Sequence, residues 1–305
     1  MVLRYSSASG TAASERVRQT VALLRRRGYA LSPRRLGELC VGGPMAETEV
    51  RWAVAAAEGL ALAGNLVVDR SDVDRAPDIS RRSVSHVTDA GEYLEMTVAF
   101  IRRLVVVAPF IQSVSIAGSL ASGGFRASDD VDLNLIVDDG HRHLAYVAVN
   151  ALGLLHAVRH RDKPVDHLTR RPVAPRLMTA NLILERAQCL PLWRQDEDMA
   201  FELMVAEPVF GIDALTEVID ANEPLLDHFP QLADRSAPLL IDHPARRLPA
   251  ALFPRVLDGA ARALGEGAWN YMQWTRRHSP EALARVAYVR STMRPYTLFD
   301  NPGSG

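Results

Sequence analysis

Cysteine is scarce in this sequence, and its scarcity excludes several kinds of protein. Only Cys40 and Cys189 occur among the 305 residues, and they match no metal-binding spacing. A disulfide framework or a cysteine-based zinc site needs more cysteines at shorter intervals. We therefore expect two buried free thiols in the reducing environment of the cytoplasm.

The sequence also lacks a strong net charge and a long apolar run. It carries 35 basic and 36 acidic side chains, for a formal net charge of −1, so no global attraction to nucleic acid or to an anionic membrane is expected. The N-terminus has no apolar signal segment, and no apolar run approaches the length of a membrane span. We expect a cytoplasmic protein without a membrane partner. Lys163 is the only lysine, so arginine is expected to do most of any phosphate binding.

The stretch 114–137 carries the pattern with the most chemical content. It predicts a strand, a turn at Gly118 and Ser119, and a second strand that bears Asp130 and Asp132 on one face. Two neighbouring carboxylates repel each other unless a cation lies between them, and Mg²⁺ prefers such oxygen ligands. Backbone N–H groups at a glycine turn are suited to hold a phosphate. The pattern therefore indicates nucleotide chemistry.

This order of residues resembles the signature of the DNA polymerase beta-like nucleotidyltransferases. In that superfamily a strand ends in Gly-Ser, a short helix with a further glycine follows, and the next strand carries Asp-x-Asp; here Gly123 or Gly124 supplies the further glycine. The resemblance implies that Asp130 and Asp132 are catalytic residues that bind Mg²⁺, with Mn²⁺ as the alternative metal. The residues assigned to the triphosphate are Gly118, Ser119, Gly123 and Lys163.

One position departs from the family pattern, and the third carboxylate has more than one candidate. Asp129 stands where the residue before the first metal aspartate is usually serine. Family members usually add a third carboxylate on a neighbouring strand, which orients or deprotonates the acceptor hydroxyl. Asp166 is the favoured candidate, Glu185 is an alternative, and Asn181 would be a weaker, neutral ligand. If neither Asp166 nor Glu185 serves, the site has only the carboxylates of Asp130 and Asp132. Such a site would bind nucleotide and catalyse slowly or not at all.

Residues 14–70 predict a compact helical unit that ends in a hairpin. Apolar spacing predicts helices near 14–27 and 46–60, a second helix opens at Ser32, and a hairpin follows over 62–68. This order resembles a winged helix-turn-helix domain. The third helix would enter the DNA groove but carries more glutamate than arginine, so DNA binding is not expected. We expect this unit to pack on the catalytic domain or to form a homodimer.

The remaining organisation follows from composition and periodicity. Residues 71–85, rich in Asp, Arg and Ser, predict a linker, and an amphipathic helix over 89–107 leads into the catalytic strand. The predicted fold class is α+β (α/β), with a mixed nucleotidyltransferase sheet flanked by helices. The predicted domains are the winged-helix-like domain with its linker (1–84), the catalytic domain (85–200) and a C-terminal helical region (201–305).

Beyond the catalytic strands, the sequence is similar to one branch of the superfamily. This branch contains bacterial and archaeal proteins that pair a winged helix with a nucleotidyltransferase domain. The likeness covers about residues 15–230 and implies fold and reaction class rather than the acceptor. Asp196 and Glu202 are attributed to capping and salt bridging. The residues that carry the likeness are Asn181, the run 196–203, the run 207–211, Asn222 and Phe229-Pro230.

The predicted function is a metal-dependent nucleotidyltransferase. It moves a nucleoside monophosphate from a nucleoside triphosphate to a hydroxyl or phosphate of an unidentified acceptor and releases pyrophosphate. A small-molecule acceptor is favoured over RNA, because strand binding normally uses a strongly basic groove. The alternatives are a catalytically weak nucleotide sensor that acts through the winged helix, and a toxin-like tRNA nucleotidyltransferase of the same superfamily.

Overall fold

The computed structural model describes residues 7–160, 163–164 and 178–299. The N-terminal unit consists of three helices and an antiparallel hairpin. Ser32 begins the second helix as predicted, because its side chain accepts a hydrogen bond from the backbone N–H of Arg35. The elements are α1 (Ser7–Arg26), α2 (Pro33–Glu38), α3 (Glu47–Ala56), β1 (Leu60–Ala63) and β2 (Leu66–Asp69).

A single long helix, α4 (Ala76–Val107), follows a 3₁₀ turn at Arg70–Arg75. The prediction of a linker over 71–85 is therefore wrong. Pro77 lies in the first helical turn, where proline is tolerated because the N–H there has no helical partner. Within the described residues 77–89 no side chain is buried. This half of the helix thus lacks the apolar stripe on which a periodicity argument depends.

A four-stranded mixed sheet forms the centre of the molecule. β3 is antiparallel to both β4 and β6, whereas β4 is parallel to β5, and the spatial order is β5-β4-β3-β6. Helix α5 connects β3 to β4, and α6 follows β4. The predicted α+β class, with a mixed sheet flanked by helices, is confirmed at this level. The elements are β3 (Ile111–Ala117), α5 (Gly118–Ser122), β4 (Val131–Val137), α6 (Arg142–Ala157), β5 (Met178–Glu185) and β6 (Glu207–Phe210).

The chain after β5 is largely helical. Strand β6 nevertheless belongs to this part, beyond the predicted domain end at residue 200, and it completes the sheet by pairing with β3. Its four residues include Pro208, which an edge strand tolerates and which weakens any sequence signal for a strand. The helices are α7 (Arg186–Cys189), α8 (Glu197–Val205), α9 (Ile212–Asp220), α10 (Pro224–His228), α11 (Leu257–Arg276) and α12 (Pro280–Met293).

Alternation along the central strands gives the sheet an apolar face and a polar face. The apolar face packs against α4 and α6, whereas the polar face is covered by α8 and α9. Side chains of the apolar face include Val114, Ile116, Val131, Leu133 and Leu135. The polar face carries Ser113, Ser115, Asp132, Asn134, Thr179 and Asn181.

The N-terminal unit packs on the same side of the molecule as the polar face. The guanidinium of Arg27 lies 4.7 Å from the ring centroid of Phe201 in α8. The backbone N–H of Gly42 donates to the carbonyl oxygen of His228 at the end of α10, at 2.7 Å. The apolar residues of both parts form one continuous core cluster. The N-terminal unit therefore packs on the helices that follow β5.

Cys40 and Cys189 are both free and buried, as predicted. Burial raises the pKa of both thiols, that of Cys189 to about 12, so both are protonated at neutral pH. Among the helices that the structure describes, none combines the length and the apolar character that a membrane crossing requires.

Candidate active site

The end of β3 and the start of β4 place a glycine against a carboxylate. Ala117 pairs with Asp132 in the antiparallel register, so Gly118 follows directly beside that aspartate. Gly118 has a φ of 62°, and a Cβ added there would overlap Oδ2 of Asp132. Residue 118 must therefore be glycine for two reasons, the left-handed backbone and the close approach of the carboxylate.

The turn that follows Gly118 is held together by its own backbone hydrogen bonds. Helix α5 is little more than one turn long, and Gly123 ends it with a φ of 93°. The backbone N–H groups of Gly123 and Gly124 both donate to the carbonyl oxygen of Ser119, the second at 3.0 Å. Ser119 is only 4% exposed. The predicted phosphate-binding residues of this segment therefore lie in one compact turn at the Asp132 end of the sheet.

Asp130 and Asp132 lie at the start of β4. Asp130 directly precedes the strand, and Asp132 is its second residue. Thr179 lies opposite Asp132 in β5, and its hydroxyl donates to Oδ1 of Asp132 at 2.6 Å. Both aspartates are partly exposed. A carboxylate that a neighbouring hydroxyl orients and that stays open to solvent is suited to bind a cation.

Asp129, the additional carboxylate of the motif, forms an ion pair with Arg82 of α4. Nη2 of Arg82 donates to its Oδ2 at 3.0 Å, and both side chains are 13% exposed. The backbone N–H of Arg126 donates to the same oxygen at 3.2 Å. These bonds direct Asp129 toward α4 and its own turn.

Lys163 reaches the same turn from a distant part of the sequence. Its Nζ donates to the carbonyl oxygen of Asp129 at 2.8 Å, and the residue is 8% exposed. This ammonium group therefore lies next to the residue that precedes Asp130. Asp166, the favoured third carboxylate, lies outside the described residues.

Glu185, the alternative third carboxylate, is in the wrong place. Thr179 pairs with Asp132 in the parallel register, whereas Glu185 pairs with Val137 at the other end of β4. Six residues of strand span about 20 Å at roughly 3.3 Å per residue. Oε1 of Glu185 instead accepts a hydrogen bond from the backbone N–H of Gly140 at 2.8 Å. The sequence located this residue on β5 but contained no signal for which end of the strand meets the aspartates.

Asn181 does lie on the polar face, where it contacts a carboxylate that the sequence analysis attributed to salt bridging. Oε1 of Glu202 accepts hydrogen bonds from Nδ2 of Asn134 at 3.0 Å and from Nδ2 of Asn181 at 2.9 Å. Asn181 also donates to Oδ1 of Asn134 at 3.0 Å. Helix α8 thus brings an acidic side chain to a network two residues along β4 from Asp132. The place of Glu202 in the run 196–203 was the one sequence signal that could have indicated this contact.

The donor set fits a cation that arrives with a nucleotide. Within the described residues, no group of three or more His, Cys, Asp or Glu side chains converges in a way that could hold a metal ion. Mg²⁺ is commonly bound by one or two carboxylates, while phosphate oxygens and water complete its coordination. Asp132, beside a turn suited to phosphate, and the partly exposed Asp130 two residues before it could supply those carboxylates.

Comparison of the chain with protein-family models, with curated proteins and with solved structures finds no match. The assignment of a function therefore depends on the geometry of the site and on the motifs described above.

Proposed function

We propose that the protein is a metal-dependent nucleotidyltransferase. It transfers a nucleoside monophosphate from a nucleoside triphosphate to a hydroxyl or phosphate oxygen of an acceptor, and pyrophosphate is released. The observation that carries the proposal is the close approach of Gly118 to the carboxylate of Asp132. It joins a turn suited to phosphate with a carboxylate pair suited to Mg²⁺, and neither feature alone would indicate this reaction.

In this proposal the carboxylates bind the metal ion and the glycine turn binds the phosphates. Asp130 and Asp132 hold Mg²⁺, which neutralises charge on the triphosphate oxygens when bound. Thr179 keeps the Asp132 carboxylate in one orientation through the hydrogen bond to Oδ1. Lys163 adds a positive charge beside the turn. The residues whose backbone N–H groups would bind the phosphates are Gly118 and Ser119, whereas the N–H of Gly123 closes the turn on the Ser119 carbonyl.

The proposed reaction is a substitution at the α-phosphorus. A lone pair of the acceptor oxygen forms the new P–O bond, while the bond from the α-phosphorus to the bridging oxygen breaks. The electron pair of that bond leaves with pyrophosphate. When the acceptor is a hydroxyl, its proton passes to a carboxylate base, a role that the resemblance gives to Asp166.

We further propose that the N-terminal unit is a winged-helix-like domain that does not read DNA. On α3, the guanidinium of Arg51 is paired with Glu47 at 2.8 Å, and Glu49 lies in the first turn of the same helix. An exposed helix whose arginine is already paired with a carboxylate is poorly suited to bind a phosphate backbone. The near-zero net charge likewise favours a small-molecule acceptor over RNA, and a cytoplasmic location remains part of the proposal.

One observation favours a second candidate function, a nucleotide sensor with weak catalysis. The ring of Tyr29 in the N-terminal unit packs so closely on Gly124 that an added Cβ would lie 2.5 Å from its Cδ1. A shift of the glycine turn on nucleotide binding would therefore act directly on the N-terminal unit. Nucleotide binding without release of pyrophosphate would favour this candidate.

The decisive experiment follows the α-phosphate. Each of the four nucleoside triphosphates, labelled at the α-phosphorus, is incubated with the protein and Mg²⁺ in the presence of total RNA, protein and small-molecule fractions. We expect label in one fraction together with released pyrophosphate, and no transfer by the Asp130→Asn, Asp132→Asn double variant. Asp213→Asn removes an exposed carboxylate on α9 and is the matched control. Transfer retained by the double variant at the same Mg²⁺ concentration would overturn the assignment.

A further inference from the structure

Three side chains of α4 hold the segment 123–130, which connects the glycine turn to β4. They come from positions 82, 86 and 93, and offsets of four and eleven residues place them on one side of a helix. The segment is thus fixed to α4 along its length. The hydrogen bonds are Arg82 Nε to Gly124 O (2.6 Å), Phe125 N to His86 Nδ1 (3.4 Å) and Tyr93 Oη to Ala127 O (3.1 Å).

Arg82 differs from the other two side chains because it contacts both ends of the segment. Its Nε donates to the carbonyl oxygen of Gly124 at the glycine turn, and its Nη2 donates to Asp129 at 3.0 Å, one residue before Asp130. The ion pair is largely shielded from solvent, where a charge-assisted hydrogen bond is stronger than in water. A single guanidinium therefore sets the distance between the glycine turn and the first aspartate of the pair.

The N-terminal unit supports this guanidinium from behind. Cζ of Arg82 lies 5.2 Å from the ring centroid of Tyr29, within the range of a cation–π contact. A planar guanidinium can stack on a ring and donate in two directions within its own plane. A lysine ammonium at the same place would keep the charge but not this combination of contacts.

We propose that Arg82 is a positioning residue for metal and nucleotide binding, an inference that rests on the proposed function. It acts through Gly124 and Asp129: it holds the glycine turn in place and directs the Asp129 carboxylate away from the cation. Asp130 and Asp132 are then the carboxylates presented to the cation. Without the guanidinium, Asp129 would place an additional uncompensated negative charge close to the incoming triphosphate.

The test measures Mn²⁺ binding through the relaxation rate of water protons, with the α,β-methylene analogue of each nucleoside triphosphate in turn. The wild-type protein is expected to form a ternary complex that Asp132→Asn does not form. For Arg82→Lys we expect Mn²⁺ to bind about 10-fold more weakly in that complex, because lysine cannot contact Gly124 and Asp129 together and residues of one contact network are coupled by about that factor. Arg81→Gln is the charge control, because Arg81 pairs with Asp78 within α4 and its side chain is 79% exposed. Its Mn²⁺ affinity should equal that of the wild type.

Tyr93→Phe separates positioning from general support of the segment. It removes the bond to the Ala127 carbonyl and leaves both Arg82 contacts in place, so it should lower the melting temperature without changing Mn²⁺ affinity more than about twofold. The inference fails if Arg82→Lys binds Mn²⁺ as tightly as the wild type. It also fails if Tyr93→Phe loses as much affinity as Arg82→Lys.

Asp129→Asn gives a second route that does not depend on how well an Arg82 variant folds. The amide keeps an oxygen that can accept from Arg82 but loses the charge, so we expect a smaller loss of Mn²⁺ affinity. Adding Arg82→Lys to Asp129→Asn should then cost less than Arg82→Lys alone, because the two side chains act together. Fully additive losses would overturn the proposed coupling. A wild-type protein that forms no ternary complex with any of the four analogues would instead overturn the proposed function, and this inference with it.

Discussion

Asp132 and Leu133 are neighbours in β4, yet they face different surroundings. Leu133 is fully buried on the apolar face among side chains of α4 and α6. Asp132 is partly exposed on the polar face, where Thr179 and Gly118 are its neighbours. Burial stabilises the first face, whereas hydrogen bonds and a close glycine contact shape the second. Substitutions on the two faces should therefore separate the stability of the fold from its activity.

The polar face is not completely filled. A cavity of about 20 Å³, room for about one water molecule, lies between this face and the helices α8 and α9. Ser115, Asn134 and the partly buried Arg235 are among its lining residues. The guanidinium of Arg235 donates to the carbonyl oxygens of Leu203 and Ala206, and burial lowers its pKa to about 10. Arg235 is thus held beside this cavity by hydrogen bonds to backbone carbonyl oxygens.

The largest effect should come from Asp132→Asn, which tests the polar face. A metal ion contributes several kcal/mol to such reactions, and each 1.36 kcal/mol is a factor of ten in rate. We therefore expect pyrophosphate release to fall by about 10³-fold or more, while the free energy of unfolding changes by less than about 1 kcal/mol for this partly exposed side chain. Initial rates and urea titrations of the same preparation measure both quantities. Normal turnover by this variant would remove the aspartate pair from the proposed mechanism.

Leu133→Ala should lower the free energy of unfolding and leave turnover nearly unchanged, the opposite of Asp132→Asn. Truncation of a fully buried leucine usually lowers the free energy of unfolding by about 2–5 kcal/mol, and activity per folded molecule should stay within a few-fold of the wild type. Leu264→Ala in α11, where the side chain is 68% exposed, is the matched control and should change stability by less than about 0.5 kcal/mol. If Leu133→Ala destroyed activity in a fully folded protein, the division between the two faces would not hold.

Gly118→Ala tests the close contact between the glycine turn and the carboxylate of Asp132. Gly64 in the β1–β2 hairpin is the matched control, because its φ of 61° is close to the 62° of Gly118 but it has open space around it. Both substitutions carry a left-handed backbone penalty of about 1–2 kcal/mol. Gly118→Ala also forces a methyl group against Asp132, so we expect a further loss of about 1–3 kcal/mol and a clear drop in turnover. Equal stability and equal activity of the two variants would show that the contact with Asp132 relaxes freely.

Local signals account for the parts of the structure that the sequence predicted. The hairpin after α3 and the order of β3, α5 and β4 follow from glycine turns between alternating apolar residues. Arg82 and Glu202 had no such signal, because they meet Asp129 and Asn134 over separations of 47 and 68 residues. The direction of β5, which removes Glu185 from the site, is likewise set by the topology of the whole sheet.

The smallest effect concerns His156, which lies in α6 beneath the apolar face. Its ring centroid is 5.8 Å from that of Phe100, and its Nε2 is 3.1 Å from Nε2 of His160. Burial, with smaller contributions from His160 and nearby arginines, lowers the pKa of His156 below its usual 6.5. The unfolded chain therefore binds a proton at a higher pH than the folded chain does. As a result, the free energy of unfolding should fall as the pH is lowered through 6.5 and stay level above it.

Urea titrations from about pH 5 to pH 8, the range in which histidine titrates, measure this slope. We expect His156→Phe to reduce it but not to abolish it, because burial also lowers the pKa of His86, the side chain of α4 that accepts from Phe125. The double variant with His86→Phe should flatten the curve further and, unlike His156→Phe, should loosen the segment beside the aspartates. A slope that is the same in His156→Phe as in the wild type would mean that the apolar side of the molecule accommodates the charged imidazolium. The pH dependence would then arise at groups other than His156, His86 among them.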